Sequence, residues 1–282
     1  LDLPWSVSAH AKDIWTLPKW ELSEKLNDCS WAVTCTAANQ EYLTTLSSPE
    51  KVQLVYHGLD FTRFPDIERS FSGASEKIDT ENKTIILSVG RAVVKKGYDI
   101  LLAALAQLPA ETDWSFIHIG GGPLRQKLQA QADSLGISDR IEWRGAQSQD
   151  QVIEACRQAD IFVLASRVAD DGDRDGLPNV LMEAASQGLC CLASDVAGVA
   201  ELLRHKETGW LVPSDDVEAL TQAILALADD PERRLALGIA GLERVTESFD
   251  HLSGLSVICR HLGLSRAGAG EGEDDAALDA AQ

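Results

Sequence analysis

From residue 85 to about 229, short apolar runs alternate with stretches of helical spacing. The runs are Ile85-Ile86-Leu87-Ser88-Val89-Gly90, Ser115-Phe116-Ile117-His118-Ile119, Ile141-Glu142-Trp143-Arg144, Ile161-Phe162-Val163-Leu164-Ala165, Leu189 to Ala193 and Gly209 to Val212. Short runs of this kind between helices predict strands buried on both faces. Between them, helices are predicted at Tyr98–Leu108, Leu124–Leu135, Gln149–Gln158, Asn179–Gln187, Val199–Leu203 and Val217–Leu227. Strand–helix alternation of this kind predicts an α/β fold with a Rossmann-like, doubly wound parallel sheet over residues 85–250. Ligands of such sheets bind beyond the carboxyl ends of the strands. Arg91, the triplet Gly120-Gly121-Gly122 and the residues from Ser166 onward all follow such ends, so they should converge on one edge.

The pattern before residue 65 is thinner. Trp31–Cys35 and Val52–Tyr56 read as strands around a helix near Asn39–Leu46, too little to close a core alone. Residues 1–65 are therefore read as the remnant of another domain. Residues 66–84, rich in Ser, Glu and Lys, have the composition of a linker. A helix is expected at 251–265, and the Gly-, Ala- and acid-rich 266–282 is expected to be a disordered tail.

Composition narrows the function. The 282 residues carry a net charge of -19, with 45% apolar and 24% charged side chains. This is a soluble globular balance, and its acidity disfavours nucleic acid as a partner. No apolar run reaches the roughly 18–20 residues that span a bilayer. The six cysteines, Cys29, Cys35, Cys156, Cys190, Cys191 and Cys259, form no Cys-x-x-Cys pair and no local zinc spacing. They read as reduced thiols of a cytoplasmic protein, which makes the Asn82-Lys83-Thr84 sequon a chance match. Met182 is the single methionine and Leu1 opens the chain, so a fragment or a processed product is expected.

The loop from Asp170 to Ala184 carries the most chemistry, and it reads in two ways. Asp171, Asp173, Asp175 and Gly176 open like an EF-hand calcium loop, but its twelfth position is Met182 and Glu183 comes one residue late. One helical residue turns a side chain by about 100°, which points that carboxylate away from an ion. The better reading is a polar loop leading into a helix that starts near Pro178. Proline suits the first helical position, and the N–H groups of Asn179 and Val180 would be free for an anion. Glu183 lies four residues after Asn179, on the same face. It is read as accepting hydrogen bonds from a ribose diol, or as simply facing solvent. Arg91 and Lys96, around the turn Gly90–Gly97, could clamp a diphosphate or be ordinary surface charges. Taken alone, His10 and His57 read as structural residues. No Ser/His/Asp arrangement, Walker loop or Gly-x-Gly-x-x-Gly is present.

Taken in order, these elements resemble the retaining GT-B glycosyltransferases of family 4, the glycosyl transferases group 1. The matching segments are Tyr56-His57-Gly58-Leu59-Asp60 with Phe64, Gly90-Arg91 with Lys96-Gly97, Gly120-Gly121-Gly122-Pro123-Leu124, Asp175-Gly176-Leu177-Pro178 with Glu183-Ala184, and Gly209-Trp210-Leu211-Val212-Pro213. Ser8-Ala9-His10-Ala11-Lys12-Asp13-Ile14 looks like a segment of bacterial polysaccharide-assembly members.

The resemblance implies two Rossmann-like domains, with a UDP- or GDP-sugar held mostly by the second and passed to a saccharide or lipid-linked acceptor. It implies no metal and no cofactor beyond the donor, and it allows peripheral association with the inner face of a membrane. Arg91 and Lys96 would neutralise the donor diphosphate. Glu183 would hold the ribose hydroxyls, Asp175 would lie near the transferred sugar, and His10 near the reacting centre. Gly90, Gly120, Gly121, Gly176, Leu177, Pro178, Asn179 and Val180 would complete the donor cradle. One departure is Asp175, where the family more often carries glutamate, one methylene longer. Another is that only the last part of the first domain is present. Other readings are a non-catalytic nucleotide-sugar-binding module, a GT-B nucleotide-sugar epimerase and a calcium-binding protein.

Overall fold

In the computed structural model, residues 3–64 and 83–264 are described; residues 65–82, which hold most of the expected linker, and the expected tail lie outside them. Six strands, β4 (Thr84–Val89), β5 (Trp114–Ile119), β6 (Ile141–Gly145), β7 (Ile161–Leu164), β8 (Cys190–Ser194) and β9 (Trp210–Val212), form a sheet of order β6-β5-β4-β7-β8-β9. Every pairing in it is parallel. The first strand of the unit sits in the middle and the chain winds outward to both sides, which is the doubly wound arrangement with its topological switch point between β4 and β7.

The inner strands show why their apolar runs lack alternation, whereas β6, at the sheet edge, alternates and has no fully buried residue. In β7, Ile161 and Val163 enter the core on one face while Phe162 and Leu164 enter the core on the other. Cys190 and Leu192 of β8 oppose Cys191 and Ala193 in the same way. A strand buried on both faces must be apolar at every position. Three helices, α4 (Tyr98–Leu105), α5 (Arg125–Ser134) and α9 (Val217–Ala228), cover one face. The helices α6 (Gln149–Gln158) and α7 (Asn179–Ser186) cover the other. Between β8 and β9 lies the short α8 (Val199–Leu202).

Residues 3–64 form a second, smaller parallel sheet, β1 (Ser6–Ala9), β2 (Trp31–Thr34) and β3 (Val52–Leu54) in that order. Its helices are α1 (Ala11–Trp15), α2 (Lys19–Asp28) and α3 (Ala37–Thr44). Its core of Ala9, Ile14, Leu22, Leu26, Cys29, Ala32, Leu43 and Val52 is small. It is supplemented by the end of the chain. After α10 (Pro231–Ser248), α11 (His251–His261) returns to this sheet. Leu59 N donates to Phe249 O at 2.8 Å and His251 N donates to Leu59 O at 3.1 Å. His261 stacks on Trp31 at 4.7 Å and bonds Gln53 at 2.7 Å.

Several elements depart from the sequence reading. α10 was signalled by Asp230 followed by Pro231: the Asp230 carboxylate caps Arg233 N at 2.9 Å and proline takes the first turn. α2 buries only Leu22 and Leu26 and leaves Trp20 exposed, so its apolar face is too narrow to register as a period. β1 is four residues long and buries only Ala9. The helix expected over 251–265 ends at His261.

Candidate functional site

The site lies beyond the carboxyl ends of β4 and β7, at the switch point. After β4 the chain makes a single 3-10 turn, Val94–Lys96, which Gly97 closes at φ +58. A Cβ on Gly97 would collide with the carbonyl of Ala165, the residue after β7. Only glycine allows this left-handed residue to press backbone against backbone, and the close approach brings the turn after β4 against the loop after β7. Gly120, at φ +144, stands likewise against the Gly90 carbonyl, while Gly121 faces open space. Ala92 N donates to Gly121 O at 2.7 Å, so the turns after β4 and β5 are one bonded layer. The sequence left the glycine triplet between ligand approach and packing; Gly120 and Gly122 are packed against residues 90–92.

That layer delivers two lysines to the acidic loop. Lys96 Nζ lies 2.7 Å from Asp175 Oδ2, and Ser166 Oγ donates to the same oxygen at 2.8 Å. Lys95 Nζ lies 3.0 Å from Asp173 and 3.6 Å from Asp175 Oδ1. These side chains are mostly buried, so the carboxylates and ammoniums compensate one another where water cannot. Each ammonium carries three donors, and Lys96 can keep Asp175 while offering another N–H to an incoming anion. The arrangement also bears on calcium: Asp173 and Asp175, two of the three aspartates of the calcium-like run, are each held by a lysine. The third, Asp171, accepts from Asp173 N at 3.0 Å in a local turn.

The loop continues into α7. The helix begins at Asn179, where the apolar pattern predicts it, and Pro178 is its cap (φ -73, ψ 112) rather than its first helical residue. Leu181 N already bonds Pro178 O at 3.0 Å, leaving Asn179 and Val180 as the first helical N–H groups, which have no carbonyl partner inside the helix. Leu177 and Pro178 are buried, Gly176 is half-buried and Asn179 is exposed at the helix head. Glu183 is half-buried further along, near Gln149 and Arg63; burial pushes its carboxyl above the usual range, against the pull of those two residues. Arg63 in turn bonds Gln149 at 2.6 Å. Arg91, beside Gly90 at the end of β4, is exposed at the rim.

The small sheet closes on this edge. His10, just after β1, meets Ser8 Oγ at 2.9 Å and stands edge-on to His57, 6.2 Å between ring centres. Gly172 abuts Trp15, whose ring carries the Arg174 guanidinium at 4.1 Å, and Gly176 faces Cys35 and Ala11. His57 lies beside Asn179 at the head of α7, and burial lowers its imidazole pKa against the pull of Asn179. Glu201 of α8 reaches across to α3: its oxygens accept from Ala37 N at 2.9 and 2.8 Å, and from Tyr56 Oη at 2.8 Å. A carboxylate at a helix N-terminus satisfies unpaired N–H groups and the helix dipole together.

Sequence reading thus singled out Lys96, Asp175, Gly176, Leu177, Pro178, Asn179, Val180 and His10, which the fold gathers along one edge. It passed over Lys95, Cys35 and Glu201, and it placed Ser166 at the edge without giving it a role. Lys95 was signalled by the Lys95-Lys96 doublet in a strand-end turn. Glu201 carries no local signal, because its partners lie in the other sheet's segment.

Two parallel-sheet lobes meeting at the carboxyl ends of their strands define the GT-B arrangement. Residues 73–244 match the family "Glycosyl transferases group 1", and the chain belongs to it. It is 29% identical over 214 residues to the putative colanic acid biosynthesis glycosyltransferase WcaL of Escherichia coli K12, covering 76% of this chain and 50% of that protein. It is 28% identical over 194 residues to a GDP-mannose-dependent phosphatidylinositol monomannoside mannosyltransferase of Mycobacterium tuberculosis H37Rv, covering 68% and 50%. The chain therefore spans about half the length of these relatives. Among solved structures, Anabaena Alr3699/HepE in complex with UDP-glucose superposes with a TM-score of 0.76 at 20% identity, over 92% of this chain and 72% of that one. Sucrose-phosphate synthase of Thermosynechococcus elongatus gives 0.77 at 22%, over 94% and 68%. At such identities the structural likeness establishes the fold. Among the described residues, no helix is long and apolar enough to cross a membrane.

Proposed function

We propose that this chain is the donor-holding part of a glycosyltransferase that moves a hexosyl unit from a UDP- or GDP-sugar to a saccharide or lipid-linked acceptor, with retention of configuration. The observation that carries the reading is the Lys96–Asp175 pair, buried at the switch point beside the N-terminus of α7. The relatives named above, one assigned to colanic acid synthesis and one using GDP-mannose, support the acceptor classes and the donor type. A neighbour that holds UDP-glucose supports the alternative base.

Lys96, already fixed by Asp175, and Arg91 at the rim would take the donor diphosphate, and the first N–H groups of α7 would face its oxygens. The gain in rate would come chiefly from stabilising charge on the departing diphosphate. Because the lysine is held before the donor arrives, no reorganisation is needed as charge develops. Glu183 would hold the ribose diol. His10 would approach the sugar from the small lobe, with Asp175 setting the lysine and lying one side chain away from the sugar. The transfer step in this reading uses no metal ion. The protein would work in the cytoplasm, at the membrane face where the acceptor is lipid-linked.

Calorimetry with a panel of UDP- and GDP-sugars tests donor binding. Incubation of the chain with donor and an oligosaccharide acceptor, followed by anomer assignment by NMR, tests transfer and retention. A new glycosidic bond of inverted configuration would overturn the retaining assignment, and a free epimerised nucleotide sugar would overturn transfer.

A further inference from the structure

The small lobe brings together three side chains that the sequence keeps 25 and 22 residues apart. One ligand atom each from His10, Cys35 and His57 lies within 4.8 Å of the other two. His10 follows β1, Cys35 follows β2, and His57 follows β3 by three residues, so the three strand ends of one parallel sheet supply the cluster. The chemistry of the set is specific. Thiolate and imidazole together suit Zn2+ and other thiophilic ions and are poor ligands for Ca2+ or Mg2+.

Two further observations point the same way. His57 Nε2 is buried and lacks a hydrogen-bond partner, an arrangement that costs free energy unless something fills the gap. Both histidines also have an outer contact that would orient a ligating ring: Ser8 Oγ at 2.9 Å from His10 Nε2, and Asn179 beside His57. Tetrahedral zinc, with bonds of about 2.0–2.3 Å, spaces its ligand atoms about 3.3–3.6 Å apart. The 4.8 Å limit within which the three atoms lie exceeds that spacing by little more than ~1 Å.

We propose that His10, Cys35 and His57 form a three-ligand site for Zn2+ or a comparable thiophilic divalent ion, with the fourth position left to water. Binding forms one Zn–S and two Zn–N bonds. The Cys35 thiol proton is released to solvent, and no electrons are exchanged. The ion is not a cofactor of the transfer proposed above. It would occupy the histidine that is assigned there to the sugar, and so would oppose donor binding. The site itself stands whether or not that assignment holds.

The test uses the untagged chain without nucleotide. Co2+ should produce tetrahedral ligand-field bands with a thiolate-to-cobalt charge-transfer band, and Zn2+ should bleach both at one equivalent. Cys35→Ser should abolish the charge-transfer band, and His57→Gln should weaken Zn2+ affinity at least tenfold against a competing chromogenic chelator. Cys259→Ser, which alters a thiol away from the cluster, should change neither. Circular dichroism of each variant confirms folding, and the wild-type cobalt spectrum does not depend on any variant. Absence of the charge-transfer band in the folded wild type, or equal Zn2+ affinity in wild type and His57→Gln, would overturn the proposal. Zn2+ binding that leaves UDP- and GDP-sugar affinity unchanged would overturn the antagonism, and loss of donor binding in every metal-free protein would count against the transferase reading alone.

Discussion

Lys96 and Asp175 stand 79 residues apart in sequence and 2.7 Å apart in space, one on each side of the switch point between β4 and β7. The pair is mostly buried, with side-chain exposures of 13% and 10%. Two charges so placed are costly singly and tolerable together. The site therefore comes with its lysine already oriented, and the carboxylate that orients it is the residue the family resemblance assigns to the sugar.

Removing the lysine should separate stability from binding. Lys96→Ala leaves Asp175 with Ser166 and the more distant Lys95, and should destabilise the chain by about 3 kcal/mol in chemical denaturation. Lys96→Ala/Asp175→Asn should regain much of that loss. Donor affinity, measured by calorimetry, should remain lost in both. Recovery of binding together with stability would show that the lysine acts only in folding.

Gly97→Ala tests how the site is assembled. The substitution places a methyl at φ +58 against the Ala165 carbonyl. A left-handed non-glycine residue costs about 1–2 kcal/mol, and the collision adds to it. The expected outcome is a loss of at least about 2 kcal/mol in denaturation, together with weaker donor binding. An unchanged midpoint would mean that the turn relaxes freely.

The larger sheet was legible because doubly buried strands such as Ile161–Leu164 must be apolar throughout, and each is followed by helical spacing. Asp175 and Lys96 were legible because both follow strand ends. What was not legible depends on contacts between distant segments. Cys35 reads as an ordinary small apolar residue at the end of a strand until the fold sets His10 and His57 beside it. β1 was missed because it borrows its pairing from β2 and buries a single alanine, leaving no period to read.

Glu201 joins the lobes through backbone N–H groups of Ala37 and Ala38 and through Tyr56. Glu201→Gln replaces charge-assisted bonds with weaker neutral ones and should cost about 1–2 kcal/mol. Hydrogen exchange should quicken at Ala37 and Ala38 while β4 and β7 stay protected. Uniform quickening across the large sheet would show that the contact is not confined to the lobe junction.

His118 is fully buried between Tyr98 and Trp143, and burial lowers its pKa to about 4. Between pH 6.5 and 4 the unfolded chain takes up a proton that the folded chain refuses. Folding stability should therefore fall with pH through that window, by up to about 3 kcal/mol from this residue. His118→Phe, which keeps the ring contacts, should flatten the pH dependence measured by urea denaturation. A curve of unchanged slope would contradict the assignment.

The most direct measurement of the central claim is calorimetric titration of the chain and of Arg91→Ala and Lys96→Ala with UDP- and GDP-sugars. Saturable binding of one donor class at one site is expected, weakened at least tenfold in each variant. Equal affinity in all three proteins, or no binding of any member of either class by the folded wild type, would contradict it.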